Sequence, residues 1–213
     1  FLSRTKIILD ACKKHPVKKI IFVSSGGALY ENAKQVPTAE DYPVSPSSLY
    51  GLANLLMETY IKAYGKIHGL DFIIPRLSNV YGPRQWQSGV VPSFIIKTLK
   101  KERPIIFGKG NQTRDFIYID DAVEALMILA KRGKNEVYNV GSGQEISLKK
   151  LFVLVNNLLG SKVKPVYEKP RFFEVQRSVL AISKIQKELG WRPKTDIKKG
   201  LLKTIHYYTN VKS

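Results

Sequence analysis

Cys12 is the chain's one cysteine in 213 residues, so no intramolecular disulfide can form. A lone thiol fits a reducing, cytoplasmic compartment. On a predicted first helix, Cys12 reads as a small buried apolar residue rather than a nucleophile. The three histidines are scattered and give no metal-ligand spacing with it, so no metal is expected. No apolar run approaches the roughly 20 residues of a membrane span, and no signal peptide is visible. Acidic residues are also scarce: 17 Asp and Glu stand against 35 Lys and Arg, a net charge of +18. That imbalance favours anionic partners. The basic residues are nevertheless spread out. Their densest clusters, KKHPVKK (13–19) and KTLKKERP (97–104), fall at helix ends and turns. They read as solvated surface, not as a nucleic-acid stripe.

A strand, Gly-rich turn and helix that would hold a dinucleotide pyrophosphate are missing too. The best internal candidate is YNVGSGQEIS, with Gly141 and Gly143, but Ile146 stands at its third glycine position. It reads as a turn, and GKGNQT (108–113) fails likewise. The chain begins with Phe1 rather than Met, and the expectation is that it starts partway through such a domain.

What is present is enough for one large domain or two small ones with a real core. Residues 3–14 read as a helix with Ile7, Ile8 and Ala11 on one face. KKIIFVSS (18–25) reads as a buried strand entering a tight Gly-Gly loop. After a Pro-rich loop (31–47), a helix is expected over 48–68. Leu52, Leu55, Leu56, Tyr60, Ala63 and Ile67 keep its period, and Gly69 closes it. DFIIPRLSNV (71–80) is a second buried strand. Later pieces are shorter and mixed: a helix after residue 88, strands near 103–108, 114–120, 136–143 and 162–168, and helices over 147–159, 183–189 and 195–208. Asp120 and Asp121 are expected to cap a helix running through Leu129. Early alternation of strand and helix implies the C-terminal part of a Rossmann-type α/β parallel sheet. The later pieces imply a smaller α+β substrate-binding domain.

The stretch SLYGLANLLME (48–58) puts Tyr50 in a helix's first turn. Position 54, one turn on, lies over the same face. A Lys there would lower the phenol pKa, and a tyrosinate could take a proton from a hydroxyl as hydride leaves its carbon. A Ser at a neighbouring strand end would hold the reacting oxygen, and Ser24 and Ser25 are placed for that.

The segments IIFVSSGGALYE, SLYGLANLLME, PRLSNVYGPRQ, GKGNQTRDFIYIDDAVEAL, YNVGSG and RSVLAISKIQKELGW occur in the order found in one family. The chain resembles, over essentially its whole length, the extended short-chain dehydrogenase/reductases, specifically NAD-dependent sugar-nucleotide epimerases/dehydratases of the UDP-glucose 4-epimerase-like kind. The resemblance implies NAD as cofactor, a UDP-sugar as substrate and reversible removal of hydride at sugar C4. It implies that Tyr50 is the general base, that Ser25 (or Ser24) orients the sugar O4, and that Tyr50, Asn54 and Ser24 face the cofactor. For the substrate it implies Asn79 near the diphosphate, Val90–Val91–Pro92 and Phe107 at the nucleobase, Arg114 and Arg171 as diphosphate clamps, and Glu174 on the ribose. Guanidinium forks suit phosphate oxygens. It further implies residues 1–80 as a partial NAD-binding domain and 81–213 as mainly the sugar-nucleotide domain, with about 114–132 returning to the first. Relatives that eliminate water carry acids where this chain has Gly26 and Gly27, which favours epimerisation over dehydration. Family members pair through a helix corresponding to 48–68, so a homodimer is implied.

Three departures stand against this pattern. The Lys is Asn54, and an amide supplies no charge to favour a phenolate. The Gly-rich turn is absent. The Pro-Gly expected between Arg171 and Glu174 is Phe172–Phe173. A fourth, smaller change is Ala181, where a helix-starting Asp is usual. Activity is therefore expected to be impaired, or the chain to be a non-catalytic sugar-nucleotide-binding or complementing subunit. The strand IIFVSS is expected to leave an open edge that invites a partner, such as a complementing N-terminal chain.

Overall fold

The computed structural model describes residues 2–31, 33–87, 89–171 and 174–210. In chain order the elements are α1 (Leu2–Lys14), β1 (Lys19–Ile21), β2 (Ser24–Ser25), α2 (Gly26–Leu29), α3 (Leu49–His68), β3 (Asp71–Leu77) and β4 (Asn79–Tyr81). Then come α4 (Val90–Leu99), β5 (Ile105–Phe107), β6 (Thr113–Arg114), β7 (Phe116–Tyr118), α5 (Ile119–Arg132), β8 (Glu136–Val140) and β9 (Ile146–Ser147). The chain closes with α6 (Leu148–Leu158), β10 (Val166–Glu168), β11 (Arg177–Ser178), α7 (Ser183–Leu189) and α8 (Ile197–Asn210).

The main sheet is parallel and centres on β3. On one side β1 and β2 run along it, from Lys19↔Asp71 to Ser25↔Leu77. On the other side β8 pairs with it, from Ile73↔Glu136 to Leu77↔Val140. The sequence reading made 18–25 one buried strand; its ladder breaks at Phe22 and Val23. The register sets Val23 opposite Pro75, which has no N–H to donate. The break follows from that missing donor, and Val23 is half exposed. The β1–β2 line is a sheet edge among the described strands.

Both faces of this sheet are covered, as a parallel sheet requires. Ile73 and Val140 pack with Ala125 and Leu129 of α5 and Ile185 of α7. On the other face, Ile74 and Val137 pack with Leu9 of α1 and Ile61 and Tyr64 of α3. The chain's return to this layer is thus longer than 114–132, because β8 and α7 lie in it as well. A second core joins α4, α6 and α8 to β4 and β7 through Phe94, Ile95, Phe116, Phe152 and Leu201. Small sheets flank it: β4 with β7, β5 with β10, and β6 between β11 and β9.

Two helix faces differ from the reading of the sequence. In α1, Ile7 and Ile8 are exposed, and the inward residues are Thr5 and Leu9. Cys12 is only partly buried. In α3 the stripe of Leu52, Leu56 and Ile67 is exposed; the inward stripe is Gly51, Asn54, Met57, Glu58, Ile61 and Tyr64. Periodicity alone chose the wrong face because the inward stripe carries Asn54 and Glu58. Glu58 is buried because Arg76 meets it with both forks, Nε to Oε1 at 3.0 Å and Nη2 to Oε2 at 2.7 Å. A buried charge requires such a partner. Asp120 and Asp121 do not cap α5 either. Its N-cap is Tyr118, and the Asp121 carboxylate accepts from the backbone N–H of Lys194 and Thr195.

Candidate functional site

One corner of the site forms where α3 begins. Ser48 caps the helix, its Oγ accepting from Gly51 N at 3.0 Å. Glu31 braces this turn. Its Oε2 accepts from Ser47 N at 2.6 Å and Ser48 N at 3.1 Å, and its Oε1 from Ser48 Oγ at 2.7 Å. Burial would raise the Glu31 carboxyl, but these bonds outweigh it and hold the carboxyl below its usual range. Gly51 lies so close to α2 that a Cβ there would sit 2.5 Å from Ala28 O. The turn carrying Tyr50 is thereby laid on the short helix that follows Ser24 and Ser25.

Tyr50 is 63% exposed, and its phenol has no hydrogen-bond partner among the described residues. Asn54 is buried and donates from Nδ2 to the Tyr50 carbonyl at 2.9 Å. The amide therefore secures the helix backbone rather than the phenol. Ser24 is buried with its Oγ unpartnered, and Ser25 is half-buried at the N-cap of α2. An orphaned buried hydroxyl is uncommon and calls for a ligand or a role.

The second corner gathers four residues named from sequence. Arg114, on β6, lies 3.6 Å from Glu174 Oε1 and donates to Thr113 O at 2.8 Å. The Arg171 guanidinium stands 4.2 Å over the Phe107 ring. Gln112 ties the pieces together, its Nε2 donating to Phe107 O at 2.8 Å and Glu174 Oε1 at 3.2 Å. Burial pulls the Arg114 pKa down and Glu174 offsets part of that; a guanidinium stays protonated regardless. Glu174 Oε2 is buried and unpartnered, an acceptor with nothing yet donating to it. Phe172–Phe173 lie outside the described residues.

The two corners adjoin. A Cβ on Gly26 would meet the Leu180 side chain at 2.6 Å, and one on Gly27 would lie 3.5 Å from Ser178 Oγ. Ser178 pairs with Arg114 across β11 and β6. Gly26 thus has no room for an acidic side chain unless Leu180 moves.

Other expected residues fall differently. Asn79 is exposed, and its Nδ2 donates to Asp115 O at 3.1 Å. Val91 is 1% exposed in the second core, so its side chain packs rather than lining a pocket; Val90 is more open. The GSG segment is a turn closed by a carboxylate. Asp115 accepts from Ser142 N at 2.8 Å and Gly143 N at 3.2 Å, as well as from Ser78, the Ser142 hydroxyl and Leu180 N. Burial pushes the Asp115 carboxyl up, against these bonds. A Cβ on Gly141 would lie 2.4 Å from Asp115 Oδ2, so no pyrophosphate fits there.

Sequence reasoning missed Glu31, Gln112, Asp115 and the Arg76–Glu58 pair. Arg76 had a signal: a charge inside an apolar strand run needs a buried partner. Glu31 acts on residues 16 and 17 positions away, and Gln112 joins Phe107 to Glu174, 62 positions on; neither left a signal. Among the described residues no group of three His, Cys, Asp or Glu could hold a metal, and no helix is long and apolar enough to cross a membrane.

A parallel α/β sheet with a hydroxyl-bearing strand end beside a Tyr-bearing helix defines a Rossmann-type protein. A model of the NAD-dependent epimerase/dehydratase family matches residues 3–141. The chain belongs to that family and is UDP-glucose 4-epimerase-like. A Methanocaldococcus jannaschii protein is 42% identical over 206 residues, covering 95% of this chain and 67% of that protein. The structure of a Thermotoga maritima UDP-glucose 4-epimerase with UDP-glucose superposes with a TM-score of 0.94 at 39% identity, over 96% of this chain and 68% of that one. A Thermus thermophilus UDP-glucose 4-epimerase in complex with NAD gives 0.90 at 30% identity, over 97% and 69%. dTDP-glucose 4,6-dehydratases match as well. The chain spans about two thirds of the length of these relatives.

The residues present fit NAD at its nicotinamide end. The Tyr50 phenol and the buried Ser24 hydroxyl, both without a partner among the described residues, are free to meet such a group. None of the described residues forms a pyrophosphate cradle, since the GSG turn is filled by Asp115.

Proposed function

We propose that this chain carries the sugar-nucleotide site and the acid–base corner of a UDP-hexose 4-epimerase, acting on a UDP-sugar. The observation that carries the reading is the convergence of Arg114, Arg171, Phe107 and Glu174, with Glu174 Oε2 buried and unpartnered. In this reading Arg114 and Arg171 hold the diphosphate, Phe107 walls the base, and Glu174 accepts from a ribose hydroxyl. Asn79 lies beside the diphosphate.

Tyr50 takes the proton of the sugar C4 hydroxyl, while Ser25 or Ser24 holds that oxygen. Tyr50, Asn54 and Ser24 face the nicotinamide end of NAD, which when bound supplies the hydride acceptor and donor that C4 epimerisation needs. Asn54 brings no positive charge to this corner, so turnover is impaired. A well-placed general base is worth on the order of 10²–10⁴-fold. The absence of an acid at Gly26 and Gly27 supports epimerisation over dehydration.

Residues 1–80, with 114–132, β8 and α7, would form the Rossmann-type unit, and the rest the sugar-nucleotide unit. The open β1–β2 edge and the exposed Leu52 and Leu56 suit a complementing chain and a second copy respectively. A cytoplasmic setting fits the single thiol.

A non-catalytic sugar-nucleotide-binding subunit is the second reading. It is favoured by Asn54 being buried and committed to the Tyr50 carbonyl. The test is conversion of UDP-glucose to UDP-galactose in the presence of NAD and a complementing chain that carries the Gly-rich strand, turn and helix, wild type against Asn54→Lys. The epimerase reading expects slow turnover that rises about 10²-fold in Asn54→Lys. UDP-glucose binding with no turnover in either protein selects the second reading. No UDP-glucose binding at all refutes both.

A further inference from the structure

The loop after β4 and the end of α8 enclose a groove of about 800 Å³ that shares no residue with the site above. That size is typical of small-ligand sites. It is lined by the aromatic rings of Trp86, Tyr207 and Tyr208, the aliphatic Ile96 and Leu99, and the charged Arg84 and Lys100; no carboxylate lines it. The loop is built to present these groups. Gln85 is pinned from two sides, its Nε2 donating to Val80 O at 3.1 Å and its carbonyl accepting from Tyr208 Oη at 2.6 Å. The flanking side chains are left outward. Trp86 is 82% exposed, and neither Arg84 nor Lys100 has an ion-pair partner among the described residues. Arg84 also holds φ = 64°, a conformation that non-glycine residues seldom adopt. Such outliers cluster at ligand-gripping loops.

We propose that this groove is a second binding site, for an aromatic phosphate of the nucleoside monophosphate class. An exposed indole offers a stacking face to a base. Two unpaired cations with no competing acid suit a phosphate. Wall and charges together select an aromatic anion over either a neutral ring or a bare anion.

The test uses the full chain and adenosine 5′-monophosphate. The chain has two tryptophans. Trp191 is 2% exposed and Trp86 82%, so quenching by a bound base reports on Trp86. The expected result is saturable quenching with a dissociation constant below ~1 mM. Adenosine or inorganic phosphate alone should bind far more weakly, and saturating UDP-glucose should not compete. Arg84→Gly, which suits the positive φ, should weaken binding roughly tenfold or more. Lys100→Ala should weaken it in the same direction, and Trp86→Leu should abolish the quench while calorimetry registers weaker binding. Absence of saturable quenching overturns the proposal, and so does quenching unaffected by Arg84→Gly and Lys100→Ala. Competition by UDP-glucose, with loss in Arg114→Met, would assign the signal to the sugar-nucleotide site and overturn it equally.

Discussion

Arg76→Leu strikes the contact that holds α3, and with it Tyr50, on the sheet. Arg76 is 3% exposed and Glu58 1%. Their two-pronged contact, at 3.0 and 2.7 Å, leaves Glu58 little else. The other cation within reach is Lys62, which makes one longer contact at 3.8 Å from a half-buried side chain. Removing Arg76 strands a buried carboxylate, which typically costs about 3–5 kcal/mol. That is a large share of the roughly 5–15 kcal/mol by which domains are stable. Leucine at both positions removes the charge with its partner, and such replacements are often neutral or stabilising. The guanidinium also donates to Tyr30 Oη, so the double variant still gives up about 1 kcal/mol. Equilibrium urea unfolding of wild type, both single leucine variants and the double should therefore show strong coupling. The double variant should lie within ~2 kcal/mol of wild type and far above the sum of the singles, with unchanged m-values. A loss under ~1 kcal/mol in Arg76→Leu, or simple additivity, would refute the argument.

Four further outcomes are expected. Leu9→Ala should cost about 2–5 kcal/mol, as buried leucines do, while Ile7→Ala and Ile8→Ala stay within ~0.5 kcal/mol; thermal unfolding separates them. Gly51→Ala should destabilise by about 1–3 kcal/mol, because its methyl meets Ala28 O at 2.5 Å; denaturant unfolding reads this directly. Glu31 titrates below its ordinary 4.5 in the folded chain, so its contribution is present above that pH and lost as pH falls through the lower folded value. Glu31→Gln should thus be less stable at neutral pH, and its stability curve should converge with that of wild type as the solution is acidified through and below pH ~4.5. Arg114→Met should weaken UDP-glucose binding about tenfold or more, in keeping with loss of a charged hydrogen bond, and leave the fold's circular dichroism unchanged.

The α/β alternation and most element positions were legible because each rests on local signals: apolar runs and Gly after a helix. Gly69 closes α3 in the left-handed conformation that such a signal requires. What failed was orientation. Ile7, Ile8, Leu52 and Leu56 satisfy helical periodicity as well as Leu9 and Ile61 do, and only the sheet decides which stripe turns inward. The strand break at Val23 depends on Pro75, fifty-two positions away and invisible until the register is known. The residues proposed for the sugar-nucleotide site were named by family order rather than by spacing. Phe107, Arg114, Arg171 and Glu174 lie on three segments that meet only in the fold. Val91 shows the limit of such transfer, since its side chain belongs to the core.

The central claim is that the Arg114–Glu174 corner is a sugar-nucleotide site. Calorimetric titration of the chain with UDP-glucose, repeated with Arg114→Met, tests it most directly. The account predicts saturable binding by the wild type with a dissociation constant below ~1 mM and a clear loss in the variant. An absence of heat in the wild type, or equal binding by both proteins, would contradict it.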